Sequence, residues 1–303
     1  MVNDIFLRLV QCGIKSRVVP VKYLADIKSD IIRFSETENL NGFQNWIINE
    51  RYILDTPELP FNPKTIIIAA IKFNLINVIF NFGGKSVTDI FCVKREGVKD
   101  DLKTLFSQNG YNIMYIHWLP QKRLAVCSGL AEYGRNNITY IENWGSFFEL
   151  QTYMTDMPCE QSYIWRDVCC MDVCNRCKAC MKNCPTKAIR DNRFLIDNEI
   201  CLSRLNELED PFPDWVPKSA HHSVYGCYRC QHICPRNKNI LSNITTVVSF
   251  DEEETGCLLA GITKADMPEN LLEKIETLHI EDWCLRGIPK NLRAMFNNAD
   301  ITQ

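Results

Sequence analysis

Four cysteines at spacings of two, two and three residues, closed by a proline, run from Cys174 to Pro185 as CNRCKACMKNCP. A shorter run, CYRCQHICP, follows from Cys227 to Pro235. The surrounding stretch, from about 161 to 240, is dense in Cys, Arg and Asn, and its apolar runs are short. Such a segment buries little on its own and needs a metal centre to hold it. Sixteen cysteines in 303 residues would suggest disulfides in a small exported domain. In a longer chain with no export signal they point to metal or redox chemistry.

No secretory or twin-arginine signal is read at the start, where Asp4 and Arg8 interrupt MVNDIFLRLVQCGIKSR. The most apolar run, Thr65 to Ile71, is bracketed by Lys64 and Lys72. It falls far short of the ~20 residues that span a bilayer. The expectation is a cytoplasmic protein without a membrane partner. A net charge of −3 provides no global basic field for nucleic acid.

The first run has the C-x2-C-x2-C-x3-C-P spacing of bacterial [4Fe–4S] sites. Three thiolates on a tight loop cap three irons of one cubane, and the fourth turns away toward another cluster. The second run supplies three more thiolates, and two cubanes need eight. Cys201, between the runs, is the natural eighth. The first cluster is therefore assigned to Cys174, Cys177, Cys180 and Cys234, and the second to Cys184, Cys201, Cys227 and Cys230. Paired zinc sites are the alternative that CxxC pairs allow. The other eight cysteines (Cys12, Cys92, Cys127, Cys159, Cys169, Cys170, Cys257, Cys284) read as small buried hydrophobes.

Before the cysteine runs, helical and strand patterns alternate. NDIFLRLVQCG reads as an amphipathic helix ending at Gly13, and TIIIAAIKF as a buried strand. INVIFNFGG reads as a strand closed by a Gly-Gly turn. Val98, Leu102, Leu105 and Phe106 fall at helical spacing, YNIMYIHW reads as a strand and QKRLAVCSGL as a short helix. NITYIENWGSFFELQTYM suggests a hairpin about Asn143-Trp144-Gly145. No GxGxxG follows a first strand, so the class is α+β rather than doubly wound. After residue 250, NLLEKIETLHIEDW and PKNLRAMFNNA suggest one helical hairpin. That tail has eleven acidic and five basic residues, a net charge of −6.

The segment LAVCSGLAEYGRNNITYIENWGSFF, from Leu124 to Phe148, resembles the cobalamin-binding core shared by epoxyqueuosine reductases and reductive dehalogenases. Their G-L-x-x-x-G-[KR]-N pattern falls on Gly129, Leu130, Gly134, Arg135 and Asn136. The eight-cysteine arrangement and PKNLRAMFNNA are also similar to the epoxyqueuosine reductase pattern. The resemblance implies a nitroreductase-like cobalamin-binding domain over 1–160 and a ferredoxin-like domain with two [4Fe–4S] clusters over 161–245. A short HEAT-like helical segment over 246–303 would follow. It implies cobalamin contacts at the five residues just named, since glycine permits close backbone approach. Epoxyqueuosine reductases carry an Asp proton donor some twenty residues before the matching Asn; none lies between Tyr111 and Asn136 here. Tyr115 stands at the aligned place, and reductive dehalogenases use a Tyr in that neighbourhood. His117, two residues on, shares its side of a strand.

The functional expectation is a cobalamin-dependent iron–sulfur reductase fed by a ferredoxin- or flavodoxin-type one-electron donor. Tyr115, with His117, would supply the proton to a small organic substrate or to epoxyqueuosine in tRNA. The acidic tail would repel phosphates, which argues against the tRNA. The alternatives are a non-catalytic electron carrier or corrinoid-handling protein, and a flavin on the same scaffold.

Overall fold

A computed structural model describes residues 2–159, 163–192 and 194–299. Among them nine strands follow in chain order: β1 (Ile14–Pro20), β2 (Thr65–Lys72), β3 (Asn74–Phe82), β4 (Lys85–Val93), β5 (Ile113–Tyr115), β6 (Glu132–Tyr133), β7 (Thr139–Tyr140), β8 (Phe148–Thr155) and β9 (Thr246–Phe250). The chain divides into two compact units. One comprises residues 1–73 and 94–176, the other 74–93 and 177–303. This is not a division into consecutive segments: residues 74–93 leave the first part of the chain to complete the second unit. The boundary expected at 160/161 lies outside the described residues.

The first unit is built on an antiparallel sheet in the order β1-β2-β8-β5. The run TIIIAAI is buried throughout as the central strand β2, which is why it reads as continuously apolar. The helix Val98–Gln108 buries Val98, Leu102 and Phe106, one face at a spacing of four. The hairpin expected about Asn143-Trp144-Gly145 reduces to a turn and one bridge, Ile141 to Gly145. β8 leaves that turn to lie between β2 and β5, where five of its last five residues are buried. Burial on both faces outweighs the local pairing. YNIMYIHW contributes only three paired residues, as the edge strand β5.

In the second unit β3 and β4 form a two-residue hairpin, with Phe82 opposite Lys85. Gly83 and Gly84 both have positive φ, 59° and 72°, as the favoured tight hairpin turn requires. β9 pairs in parallel with β3 across some 170 residues of chain, Ile76 opposite Thr246. Phe80 and Phe250 stack at 4.9 Å, and Leu271, Ile275, Ile288 and Leu292 complete the core over that sheet. The tail forms more than one helical hairpin. The helix Ile288–Ala299 packs on Glu252–Ala260 as well as on the short helix Asp282–Leu285. Its acidity is partly structural: Asp251 and Glu254 form a capping box, and the buried Glu254 carboxylate pairs with Lys274 at 2.6 Å.

Candidate functional site

The second cysteine set comes together within the second unit. Cys184 is buried against Ala188 and Ile189, with Cys180, Cys201 and Cys230 packed around that small core. Cys201 heads the helix Leu202–Glu207. Burial pushes the Cys227 thiol up to about 12, and the neighbouring Cys201 and Cys184 thiols add to the rise. Cys201 is likewise raised, by burial first, with Cys184 contributing. Neighbouring thiols around one small core fit an iron–sulfur centre, which takes thiolates. Among the described residues no three His, Cys, Asp or Glu side chains are close enough to share a single ion. A cubane presents separated irons, so its thiolates stand further apart than the ligands of one zinc.

A buried polar network shapes the loop before Cys227. Asp89 on β4 accepts from Ser223 Oγ and from the Val224 and Ile90 N–H groups, each at 2.8 Å. Asn206 donates to the carbonyls of Ser223 and Gly226, and Asn291 to those of Val224 and Asn206. Burial holds the Asp89 carboxyl up at about 7 despite those donors. The sequence showed no sign of this clamp, because Asp89 lies more than a hundred residues before Ser223 and Val224, and Asn291 lies 67 residues after Val224.

Cys174 belongs to the first unit, in the single turn Asp172–Asn175. The segment before it bridges to β6: the Tyr133 N–H donates to the Cys169 carbonyl, and the Met171 N–H to that of Tyr133. Arg135 Nη2 donates to the Cys174 carbonyl at 2.6 Å. Thus Arg135 anchors the start of the cysteine run. Gly134 and Asn136 form the turn joining β6 to β7. A Cβ on Gly134 would meet Asn136 Oδ1 and Tyr140 Cε2 at 2.6 Å, and buried Asn136 donates to the Tyr140 hydroxyl. This glycine is explained by the protein's own packing. Gly129 and Leu130 instead line an open groove of about 700 Å³, with Phe6, Val18, Ile141 and Ile164. Of the five residues expected at the corrin, Gly129 and Leu130 line this groove.

Tyr115 and His117 are brought together, Oη to Nδ1 at 2.7 Å. Burial and the Glu149 carboxylate hold the Tyr115 hydroxyl above its ordinary range. Burial and then Lys99, Lys94 and Arg51 push His117 down. The hydroxyl donates to the imidazole when the ring carries its proton on Nε2. Beside them Arg51 lies 4.1 Å from the Trp118 ring centre and 5.1 Å from that of Trp46, which is 42% exposed. Lys99 Nζ sits 4.0 Å over the Tyr115 ring. Sequence reading missed this aromatic and cationic surface, whose only local sign is Trp118 next to His117. Tyr115 stands on the β5 edge of the sheet, whereas Lys15, Ser16, Arg17 and Val18 of the opposite edge strand, β1, line the groove.

Of the scattered cysteines, Cys127 and Cys284 are buried as expected, whereas Cys12 and Cys170 are exposed.

Residues 173–237 match the family model of the 4Fe-4S double cluster binding domain. An epoxyqueuosine reductase from Cyclobacterium marinum is 33% identical over 156 residues, half of this chain and 48% of that protein. One from Escherichia coli is 34% identical over 131 residues, 43% of this chain and 32% of that protein. The matched part thus spans about half or less of these relatives' length. Among solved structures, the epoxyqueuosine reductase from Bacillus subtilis superposes with a TM-score of 0.66 at 18% identity, over 98% of this chain and 81% of that one. An epoxyqueuosine reductase with an epoxyqueuosine-modified tRNA stem loop gives 0.65 at 16% identity, over 98% and 80%. The chain has the epoxyqueuosine reductase fold, carries a 4Fe–4S double cluster binding domain, and is epoxyqueuosine reductase-like in sequence over about half its length.

Proposed function

We propose that this chain is an iron–sulfur oxidoreductase of epoxyqueuosine reductase type. Two [4Fe–4S] clusters relay single electrons, and a substrate is reduced beside Tyr115 and His117. The observation that carries the reading is the gathering of Cys184, Cys201 and Cys227 inside the matched double-cluster segment. The ligand sets are those assigned from spacing: Cys174, Cys177, Cys180 and Cys234 for one cluster, Cys184, Cys201, Cys227 and Cys230 for the other. Cobalamin is the cofactor that the family likeness implies; when bound, its cobalt supplies a strongly reducing centre. Gly129 and Leu130 are its best-placed contacts.

The chain's own residues account for proton supply. Tyr115 holds its proton, and His117 keeps the hydroxyl oriented. Arg51, Trp46, Trp118 and Lys99 offer flat faces and positive charge to a nucleobase and its phosphate. That surface favours epoxyqueuosine in tRNA over a small molecule, because the tail's acidity goes partly into helix capping and ion pairing. An external ferredoxin- or flavodoxin-type donor would supply the electrons, in the cytoplasm.

A second reading, a non-catalytic electron carrier for another corrin protein, is favoured by the placement of Tyr115 and of the groove's β1 lining on opposite edges of the sheet. The test is anaerobic. The purified protein should hold about eight irons and eight sulfides. With cobalamin and a reduced donor it should remove one oxygen from an epoxyqueuosine stem loop, read by mass. Zinc without labile sulfide would sink both readings. Full clusters without deoxygenation would leave the carrier.

A further inference from the structure

His222 lies in the loop before the second cysteine run, and its Nε2 is 3.8 Å from Cys227 Sγ. Its Nδ1 faces two groups. The Ala220 carbonyl oxygen is at 2.6 Å and the Arg229 Nε donor at 3.1 Å. Both cannot bond to it at once. A carbonyl needs a proton on Nδ1, whereas an Arg donor needs a bare Nδ1. With a thiol at Cys227, the S–H can donate to a bare Nε2 and Nδ1–H serves Ala220. With a thiolate at Cys227 the S–H is gone, and a bare Nε2 would face sulfur lone pairs. The ring then carries its proton on Nε2, Arg229, itself tied to the Ser219 carbonyl at 2.8 Å, donates to Nδ1, and the Ala220 carbonyl gives up its bond and must draw back from 2.6 Å. A ring bearing both protons is opposed by the adjacent guanidinium.

We propose that His222 donates from Nε2 to the Cys227 thiolate and so sets the potential of the cluster held by Cys184, Cys201, Cys227 and Cys230, with Arg229 fixing the tautomer. Hydrogen bonds to cluster sulfur raise the potential by favouring the reduced, more negative cluster. His222 is a positioning and tuning residue, not a ligand. The proposal rests on the ligand assignment above.

The experiment is an anaerobic redox titration read by electron paramagnetic resonance. In His222→Leu, fully loaded with iron, one of the two cluster signals should move to lower potential and the other should stay. His222→Gln, whose amide can place an N–H near the same point, should recover most of the shift. Loaded His222→Leu with both potentials unchanged overturns the proposal. Should His222→Leu not load, the wild type with 15N-labelled histidine decides by pulsed resonance on the reduced clusters. A histidine nitrogen coupling that His222→Gln removes supports the proposal, and its absence in the wild type overturns it. Cys227→Ala keeps the two failures apart: if it spares both clusters, the ligand assignment is what fails.

Discussion

The Tyr115 hydroxyl is held 2.7 Å from Nδ1 of His117, with one buried residue, Ile116, between them in the chain. Strand β5 ends at Tyr115, the Ile116 N–H still donates to the Thr152 carbonyl at 2.9 Å, and the hydroxyl contact joins the two side chains. Tyr115→Phe removes one hydroxyl and leaves the ring's packing against Tyr153, 5.5 Å away. It should keep both clusters and lower turnover by about a hundredfold or more, the scale of losing a general acid. Unchanged turnover in the loaded variant would make the pair a packing feature.

Cys201→Ala should cost one cluster and spare the other, by iron count and resonance spectrum. Cys92→Ala is the control. Cys92 lies on β4, outside the matched double-cluster segment, so its variant should keep both clusters.

Arg51 against Trp118 should act in substrate binding. Trp118→Ala should weaken a stem loop by about 1–3 kcal/mol, the worth of one stacked base. Arg51→Gln should also flatten the salt dependence. Equal affinity in both variants would take RNA away from this face.

Gly134→Ala should lower the melting temperature of the protein whether or not cobalamin is added, because its Cβ would strike Asn136 and Tyr140. A loss confined to cobalamin binding, with melting unchanged, would restore Gly134 to the ligand.

Asp89 gives a pH dependence of known sign. Its carboxyl keeps a proton to about 7 in the fold and gives it up near 3.8 when unfolded. Between those values the folded state binds the extra proton, so stability should fall as pH rises from about 4 to 7 and then level. Asp89→Asn should flatten that slope in denaturant titrations at a series of pH values. An unchanged slope would assign it to other groups.

Local signals were plain in the sequence wherever one element suffices. Gly83-Gly84 marked the hairpin, the Val98, Leu102, Phe106 series the helix, and the continuous TIIIAAI run the central strand. The cysteine spacing likewise carried the cluster chemistry. Features made by distant partners were not legible. β8 looked like half of a hairpin because its true neighbours, β2 and β5, lie far off in the chain. Gly134 has a packing reason that was not legible, because the Tyr140 ring that excludes a Cβ cannot be placed from sequence. Asp89, on an ordinary alternating strand, gave no hint of the carbonyl clamp built around it.

The pairing of β3 with β9 also fixes an order of events during synthesis. When the ribosome has made the cysteine runs, Ile76 to Phe80 has had its hairpin partner for a long time, but its other edge stays bare until Thr246–Phe250 emerges. A nascent chain therefore carries an unfilled apolar strand edge, the surface on which chains stick to one another, through the period when iron could first be inserted. Closing that edge joins residues far apart, which is slow. Release before residue 246 should give aggregates, and a fragment starting at Cys177 should lack the hairpin on which its last strand is laid.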